Sequence, residues 1–150
     1  MPTLLFMLTA LAAGPTLEES LNLARAAIRA CEVKGQPVSA SVVDAAGVTI
    51  VVLRADGAPK SPVAAPRKAA TAVAFETPGS VLEAREKADP AFAAVIAARP
   101  DLYNAHGGSL PLYRGGRLAG GLAVADTSHE TADACARAAV EAQSLYTIRP

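Results

Sequence analysis

The sequence has no tryptophan, few other aromatic residues and no net charge, with 14 basic and 14 acidic side chains. No stripe of lysine and arginine is interleaved with aromatic residues, which argues against a nucleic-acid-binding surface. Charged residues make up 19% of the chain and hydrophobic residues 51%, which is the composition of a folded domain. A length of 150 residues fits one domain with a core of its own.

The sequence also lacks an apolar run that could form a stable membrane span, which takes about 20 residues. The apolar run at 4–13 has instead the length of the hydrophobic part of a secretory signal, although Arg25 is the first basic residue. We therefore interpret residues 1–14 as a secretory signal or apolar leader and residues 15–150 as a single domain. The prediction is a periplasmic or secreted protein, and a cytoplasmic one if the leader is not a signal. A buried N-terminal segment and a start within a longer leader are the alternatives.

Cysteine is scarce, and Cys31 and Cys135 lie far apart in two predicted helices. No CxxC pair or metal-ligand spacing is present. In an exported protein the two could form one disulfide, because that compartment permits it. Cysteine is also among the most buried residue types, and two separate buried cysteines are the interpretation that the sequence favours.

Strand signals occur as two pairs. Segments rich in β-branched residues at 38–44 and 48–55 are joined by Ala-Ala-Gly, which predicts a hairpin with a bulge. A second hairpin is predicted from 110–114 to 118–125 around a Gly-Gly turn. Because hairpins pair their strands antiparallel, the predicted fold class is α+β, an antiparallel sheet built from two hairpins with flanking helices.

Helices are predicted before, between and after the hairpins. Thr16 with Glu19 forms a capping box for the first helix, and Thr127 with Glu130 forms one for the last. Three further helices are predicted between the hairpins, at 66–76, 79–89 and 90–98.

Motifs of common enzymes are missing. The chain has no GxSxG elbow, no P-loop, no GxGxxG that opens a helix and no HExxH. These absences favour a binding protein over an enzyme.

The densest chemical signal lies in residues 101–121, which hold six of the eleven glycines. His106 directly precedes Gly107 and Gly108, and Tyr103 lies just before it. Imidazole and tyrosinate both ligate haem iron, and adjacent glycines let a large planar ring approach the backbone. A solvated histidine among turn glycines is the alternative.

A local excess of positive charge lies upstream. The segment 54–68 contains four basic residues and a single acidic one, Asp56; the basic residues are Arg54, Lys60, Arg67 and Lys68. The N-terminus of the helix predicted at 66–76 also favours binding of an anion. Carboxylates of a ligand could pair there. An ordinary solvated helix face is the alternative, so these residues alone predict a small α+β domain with a possible pocket for an anionic ligand.

Four ordered segments together carry a family resemblance. They are VSASVVDAAGVTIVVLRADGAP, then RKAATAVAF followed by TPGS, then GGSLPLYRGGRLAGGLAVA, and a closing alanine-rich helix. In this order they resemble the GlcG/HbpS family of haem-binding proteins, which also supplies the C-terminal domain of PduO-type corrinoid adenosyltransferases.

The resemblance implies a profilin-like fold, assembly into homo-oligomers, and haem binding in haem sensing, storage or protection against oxidative stress. The matching positions are Asp44, Gly47, Arg54, Asp56, Gly57, Lys68, Ala69, Thr71, Ala72, Phe75, Gly107, Gly108, Pro111, Gly120 and Gly121. The last strand departs from the family's GxIGVSG-like pattern, because it ends GLAVADTSHE and lacks the usual final glycine-rich segment.

The resulting hypothesis is a haem- or tetrapyrrole-binding protein with its pocket between the 66–76 helix and the 103–113 loop. His106 is the first candidate for the iron ligand and Tyr103 the second. The other ligand-binding candidates are Arg67 and Lys68 for the propionates, Phe75 against the ring, and Thr71, Gly107 and Gly108.

Two alternatives use the same chain differently. One is an enzyme or binding protein for a small carboxylated, glycolate-like metabolite in the same pocket, with Asp44 or Asp56 as the acid–base group. The other is an oligomeric partner protein that binds no small ligand.

Overall fold

The computed structural model describes residues 14–149, which contain five helices and four strands. In chain order these are α1 Leu17–Glu32, β1 Ser39–Asp44, β2 Thr49–Arg54, α2 Ala64–Ala74, α3 Gly79–Ala88, α4 Pro90–Ala97, β3 Ser109–Arg114, β4 Arg117–Ala125 and α5 His129–Gln143. The α+β prediction is confirmed. Apart from Gly14, the leader lies outside the described residues.

Both predicted hairpins join one antiparallel sheet in the order β2-β1-β4-β3. The hairpins meet where β1 pairs with β4, from Ser39 opposite Ala125 to Asp44 opposite Gly120. The first hairpin carries the predicted irregularity, a register shift between Val42 and Val43. The two central strands are therefore one from each hairpin, which places the end of β4 in the middle of the sheet.

The cap residue predicted from the sequence is confirmed at α1 but not at α5. Glu19 N donates to Thr16 Oγ1 at 3.1 Å and Thr16 N donates to Glu19 Oε2 at 3.0 Å, so the first capping box is present. At α5 the cap is Ser128, whose Oγ accepts from Thr131 N at 3.2 Å. The prediction of Thr127 as the cap is wrong by one residue, because the extended backbone that a cap needs occurs at Ser128.

α1 and α5 cover one face of the sheet and are joined by a disulfide. Cys31 and Cys135 are fully buried, with Cα atoms 5.6 Å apart and a separation of 104 positions in sequence. The favoured interpretation of two separate cysteines is therefore wrong, although their burial was expected. Packing of the two helices side by side on the same face brings the thiols together.

α2 packs on the opposite face through small side chains. A Cβ at Gly121 would lie 2.8 Å from Val73 Cγ2 and 2.9 Å from the Ala69 carbonyl oxygen, so the helix and β4 are in close contact. α2 begins at Ala64, two residues before the predicted start, because proline is tolerated within a first helical turn. Within residues 14–149, no helix has both the length and the hydrophobicity to cross a membrane.

Candidate functional site

A polar cleft of about 320 Å³ opens where α2, the loop before β3, the end of β4 and the start of α5 meet. Its lining residues are Lys60, Ala64, Lys68, Asn104, His106, Ala125, Asp126, Thr127 and His129. We call this set the polar cleft.

Lys68 reaches the cleft from the buried side of α2. It is only 3% exposed, and its Nζ donates to the Val124 carbonyl oxygen at 2.9 Å. Burial lowers the pKa of Lys68 to about 8, and the carboxylates of Glu83, Asp126 and Asp133 offset only part of that effect. The ammonium group of Lys68 thus makes one hydrogen bond, and nearby carboxylates compensate its burial only in part.

Two acceptors in the cleft also lack partners. Asn104 Oδ1 and Asp126 Oδ2 are buried and make no hydrogen bond to any residue in 14–149. The loop that carries Asn104 is held in place, since Asn104 N donates to Thr71 Oγ1 at 2.8 Å. Most buried polar atoms in proteins are hydrogen-bonded to other residues or to ordered water. Both residues line the cleft, and Asp126 adds a negative charge to it.

Asp126 has an unusual backbone as well. Its φ of +78° lies in the left-handed region, which costs a residue with a Cβ free energy and which glycine adopts freely. Strain of this kind collects at functional sites, where surrounding structure maintains it.

The two histidines of the chain stack at the rim of the cleft. The ring centroids of His106 and His129 are 4.7 Å apart with an angle of 20° between the planes. His129 Nδ1 donates to Glu83 Oε2 at 2.9 Å. The imidazole of His106 makes no hydrogen bond within the described residues, and partial burial together with the neighbouring His129 lowers its pKa.

Glu83 anchors this pair from α3. Its Oε2 also accepts from Gly107 N at 2.9 Å, and its Oε1 accepts from Lys87 Nζ at 2.8 Å. Burial alone would raise the pKa of Glu83, but the hydrogen bonds from Lys87, Gly107 and His129 lower it to about 2. The carboxylate is therefore charged throughout the physiological range and fixes the orientation of His129.

The glycines of this loop contact protein atoms on the side where a Cβ would project. At Gly108, with φ of +100°, a Cβ would lie 2.5 Å from Ala132 Cβ and 2.8 Å from the Val124 carbonyl oxygen. At Gly107 the nearest atom would be His129 Cβ at 3.1 Å. The loop packs directly against β4 and α5, and this contact accounts for both glycines.

Other sequence-predicted residues lie on the far side of α2. Tyr103 lines a second, mainly apolar cavity of about 470 Å³ together with Ala70 and Leu102, and Arg67 lines an adjoining hollow. The Arg67 Nη1 donates to the Pro100 carbonyl oxygen at 2.6 Å. The structure therefore brings Lys68 and His106 together and separates both from Arg67 and Tyr103.

The remaining candidates, Phe75, Asp44 and Asp56, lie outside the polar cleft. The ring of Phe75 packs against Phe92 at 5.2 Å and Tyr103 at 5.4 Å between centroids. Asp44 Oδ1 accepts from two backbone N–H groups of its own hairpin turn, and Asp56 is exposed in the turn after β2. Neither aspartate lines the polar cleft.

The buried lysine gives the protein an expected pH dependence. Below pH 8 Lys68 is charged in both folded and unfolded states, so its burial destabilises the fold in full. Between about 8 and 10.5 the folded state has lost the proton that the unfolded state still binds, so stability should rise. The expected rise is of the order of 3 kcal/mol. Urea unfolding across this range measures it, and Lys68→Met should remove this contribution; an equal rise in the variant would contradict the assignment.

Comparison with known proteins gives the site a family context. Residues 16–141 match the family described as "Haem degrading protein HbpS-like". The chain belongs to the HbpS-like family. No curated protein sequence matches it. The family resemblance carried by the four ordered segments is thus confirmed.

Solved structures agree with the HbpS-like assignment. A double mutant of Streptomyces reticuli HbpS is 35% identical, with 87% of this chain and 88% of that chain covered and a TM-score of 0.76. The protein solved as the PduOC–haem complex is 32% identical, with coverage of 81% and 89% and a TM-score of 0.73. The Klebsiella pneumoniae protein ORFY, of the DUF336 family, shares the fold at 21% identity and a TM-score of 0.81, with coverage of 88% and 92%.

The departure from the GxIGVSG-like pattern noted in the sequence lies in the cleft. Counting from Gly120, the last glycine of the GxIGVSG-like segment falls at Asp126. The backbone there keeps a conformation suited to glycine while the side chain adds a carboxylate to the cleft.

Sequence reasoning missed Asn104, Asp126, His129 and Glu83 as members of this site. None belongs to a recognisable motif. The only sequence signal was the break in the glycine pattern at the end of β4, which marked the loop that holds Asp126.

Proposed function

We propose that this protein binds haem, or a related tetrapyrrole, with His106 at the rim of the polar cleft as the iron ligand. The observation that carries the proposal is that the His106 imidazole has a lowered pKa and no hydrogen bond within the described residues. A neutral imidazole offers the lone pair that haem iron binds. The HbpS-like family and a relative solved as a haem complex support the same ligand.

The charges of the cleft suit the propionates of haem. Lys60 and Lys68 both line it, and ammonium groups pair with carboxylates. Lys60 replaces Arg67 in this role, because the Arg67 guanidinium donates to the Pro100 carbonyl oxygen beside the other cavity. Haem, when bound, supplies a redox-active iron, and these side chains hold and orient it.

A hemin titration followed by absorbance tests the proposal. Wild type should give a saturable, sharpened Soret band, and His106→Ala should lose or shift that band with affinity reduced about tenfold or more, because the iron loses its proposed ligand. Tyr103→Phe is the matched control, since Tyr103 lines the other cavity and its loss should leave the spectrum unchanged. Equal spectra of wild type and His106→Ala, or a shift only in Tyr103→Phe, would refute His106 as the ligand.

We further propose that haem binding serves sensing, storage or protection against oxidative stress, in a protein exported to the periplasm or beyond. The Cys31–Cys135 disulfide supports export, because disulfides persist in oxidising compartments. N-terminal sequencing of the mature protein checks it, and a retained Met1 would contradict it. Homo-oligomer assembly stays a prediction from the family, which light scattering can measure.

A further inference from the structure

The second cavity, of about 470 Å³, lies on the side of α2 away from the polar cleft. Its walls come from α2, the first hairpin turn at 45–47, the loop at 102–103 and the start of β4. We call it the apolar cavity, because side chains such as Ala70, Val73 and Leu118 line most of it. Ligand sites of this size are typically apolar, with a few polar groups that fix the orientation of the ligand.

Among the described residues that line the apolar cavity, Glu76 alone is charged. Glu76 forms no ion pair within residues 14–149. Arg149 lies in the same region, but its guanidinium donates to the Gly116 carbonyl oxygen at 2.6 Å and stacks over the Tyr113 ring. The carboxylate at this end of the cavity therefore favours a cation.

The end of α2 adds to the negative charge of this carboxylate. Glu76 follows directly on Phe75, the C-cap of α2, and the last turn of the helix contains no basic residue. The last carbonyl groups of a helix lack partners within the helix and give its C-terminus a partial negative charge. Ala74, in that last turn, lines the cavity as well. Glu76 and the helix C-terminus thus act in the same sense on a bound ligand.

The turn that places Glu76 here is held by backbone hydrogen bonds. Thr77 N donates to the Ala72 carbonyl oxygen at 3.1 Å and Glu76 N to that of Val73 at 3.2 Å, which is the pattern of a Schellman motif. Glu76 has a φ of +46°, at the position of this motif where glycine is usual. Since the motif needs no side chain at 76, the carboxylate can be replaced without loss of the turn.

We propose that the apolar cavity binds a small organic cation, an amine with an aromatic or aliphatic body, whose ammonium group pairs with Glu76. The body of the ligand packs on the apolar wall and beside the ring of Tyr103. The charge preference is opposite to that of the polar cleft, where Lys60 and Lys68 favour an anion. The inference goes beyond haem binding, because it uses no residue of the polar cleft.

Calorimetric titration of the purified protein with three matched probes tests the inference. Phenethylamine, phenethyl alcohol and hydrocinnamate share the same ring and linker and end in a cation, a neutral group and an anion. We expect the amine to bind about fivefold to tenfold more tightly than the alcohol, because an exposed ion pair and a helix C-terminus each contribute modestly. Hydrocinnamate should bind most weakly, since Glu76 repels it.

Two replacements of Glu76 separate its charge from its effect on folding. Glu76→Gln keeps the size of the side chain, and it should lower the affinity for the amine to that for the alcohol and leave the alcohol unchanged. Glu76→Gly suits the backbone, so it should unfold at the same temperature as wild type or higher and also lose the preference. Glu141→Gln is the matched control, because it removes an exposed carboxylate of α5 outside the cavity and should keep the preference.

Several results would overturn the inference. Wild type that binds amine and alcohol equally would do so, as would a Glu76→Gln variant that keeps the preference or a Glu141→Gln variant that loses it. Wild type that binds none of the probes, as when a second copy of the chain covers the cavity, would do so too. The hemin titration is independent, because it concerns the other side of α2, so failure here leaves the haem proposal intact.

Discussion

Replacing both Cys31 and Cys135 by alanine is expected to lower the free energy of unfolding by about 3–5 kcal/mol. The disulfide closes a loop of 104 positions and joins α1 to α5 across one face of the sheet. A crosslink over about 100 residues restricts the unfolded chain by an amount worth about 4.7 kcal/mol in the chain-entropy estimate. Since a domain is typically stable by about 5–15 kcal/mol, the loss would be a large fraction of the total. Urea unfolding of wild type and variant measures it.

Variants are a cleaner test than reductant, because both sulfur-bearing residues are fully buried. Either single replacement should destabilise the protein about as much as the double one, since one change already breaks the crosslink. A thiol assay on unfolded wild type without reductant provides the control. Two reactive thiols per chain in that assay would contradict the pairing.

Gly108→Ala is expected to destabilise the protein by about 3 kcal/mol or more, from backbone strain and overpacking together. The added methyl would meet Ala132 Cβ at 2.5 Å and the Val124 carbonyl oxygen at 2.8 Å, and neither atom belongs to the end of a flexible side chain. It would also come within 3.2 Å of Lys68 Nζ. The expected result is a lower midpoint in urea unfolding, accompanied by weaker hemin binding because the cleft is displaced.

Gly116→Ala separates the two causes. Gly116 has a φ of +77° in the second hairpin turn, with no atom within 4 Å of a Cβ built there. Its replacement should cost only the conformational part, about 1–2 kcal/mol. If the two variants lose the same free energy of unfolding, the prediction is contradicted, because the contact of the loop with β4 and α5 would then add nothing to the cost.

The cleft combines a rim and an interior with different chemistry. At the rim, His129 is oriented by a carboxylate that stays ionised, since the pKa of Glu83 is lowered to about 2, and the ring of His106 stacks on that of His129. In the interior, Lys68, Asn104 and Asp126 are polar, buried and incompletely paired. The proposed haem site uses His106 at the rim and Lys68 in the interior, so variants at either residue should affect the hemin titration.

Much of the fold was predictable because its signals are local. The capping box at Thr16 acts within one helical turn, and the Gly-Gly turn at 115–116 fixes its hairpin over a few residues. The order of two hairpins and five helices then left few arrangements of a single sheet. The family resemblance likewise depended on short segments in a fixed order.

The site was harder to predict because helix geometry and long-range packing create it. Arg67 and Lys68 are adjacent in sequence, and this adjacency suggested a shared role. Successive residues on a helix point about 100° apart, so α2 directs the two toward different cavities. Tyr103 and Asn104 are divided in the same way on the loop beside it.

The helices and strands, the antiparallel sheet and the family could all be predicted from short segments, because caps, turns and alternating patterns depend on neighbouring residues. Three other features depend on how the elements pack. Cys31 pairs with Cys135, Glu83 orients His129, and Asp126 lines the same cleft as Lys68. These contacts join residues tens of positions apart, and burial then sets their charge and their unpaired atoms. Neither the distance between such residues nor their exposure to water is written in the local sequence pattern.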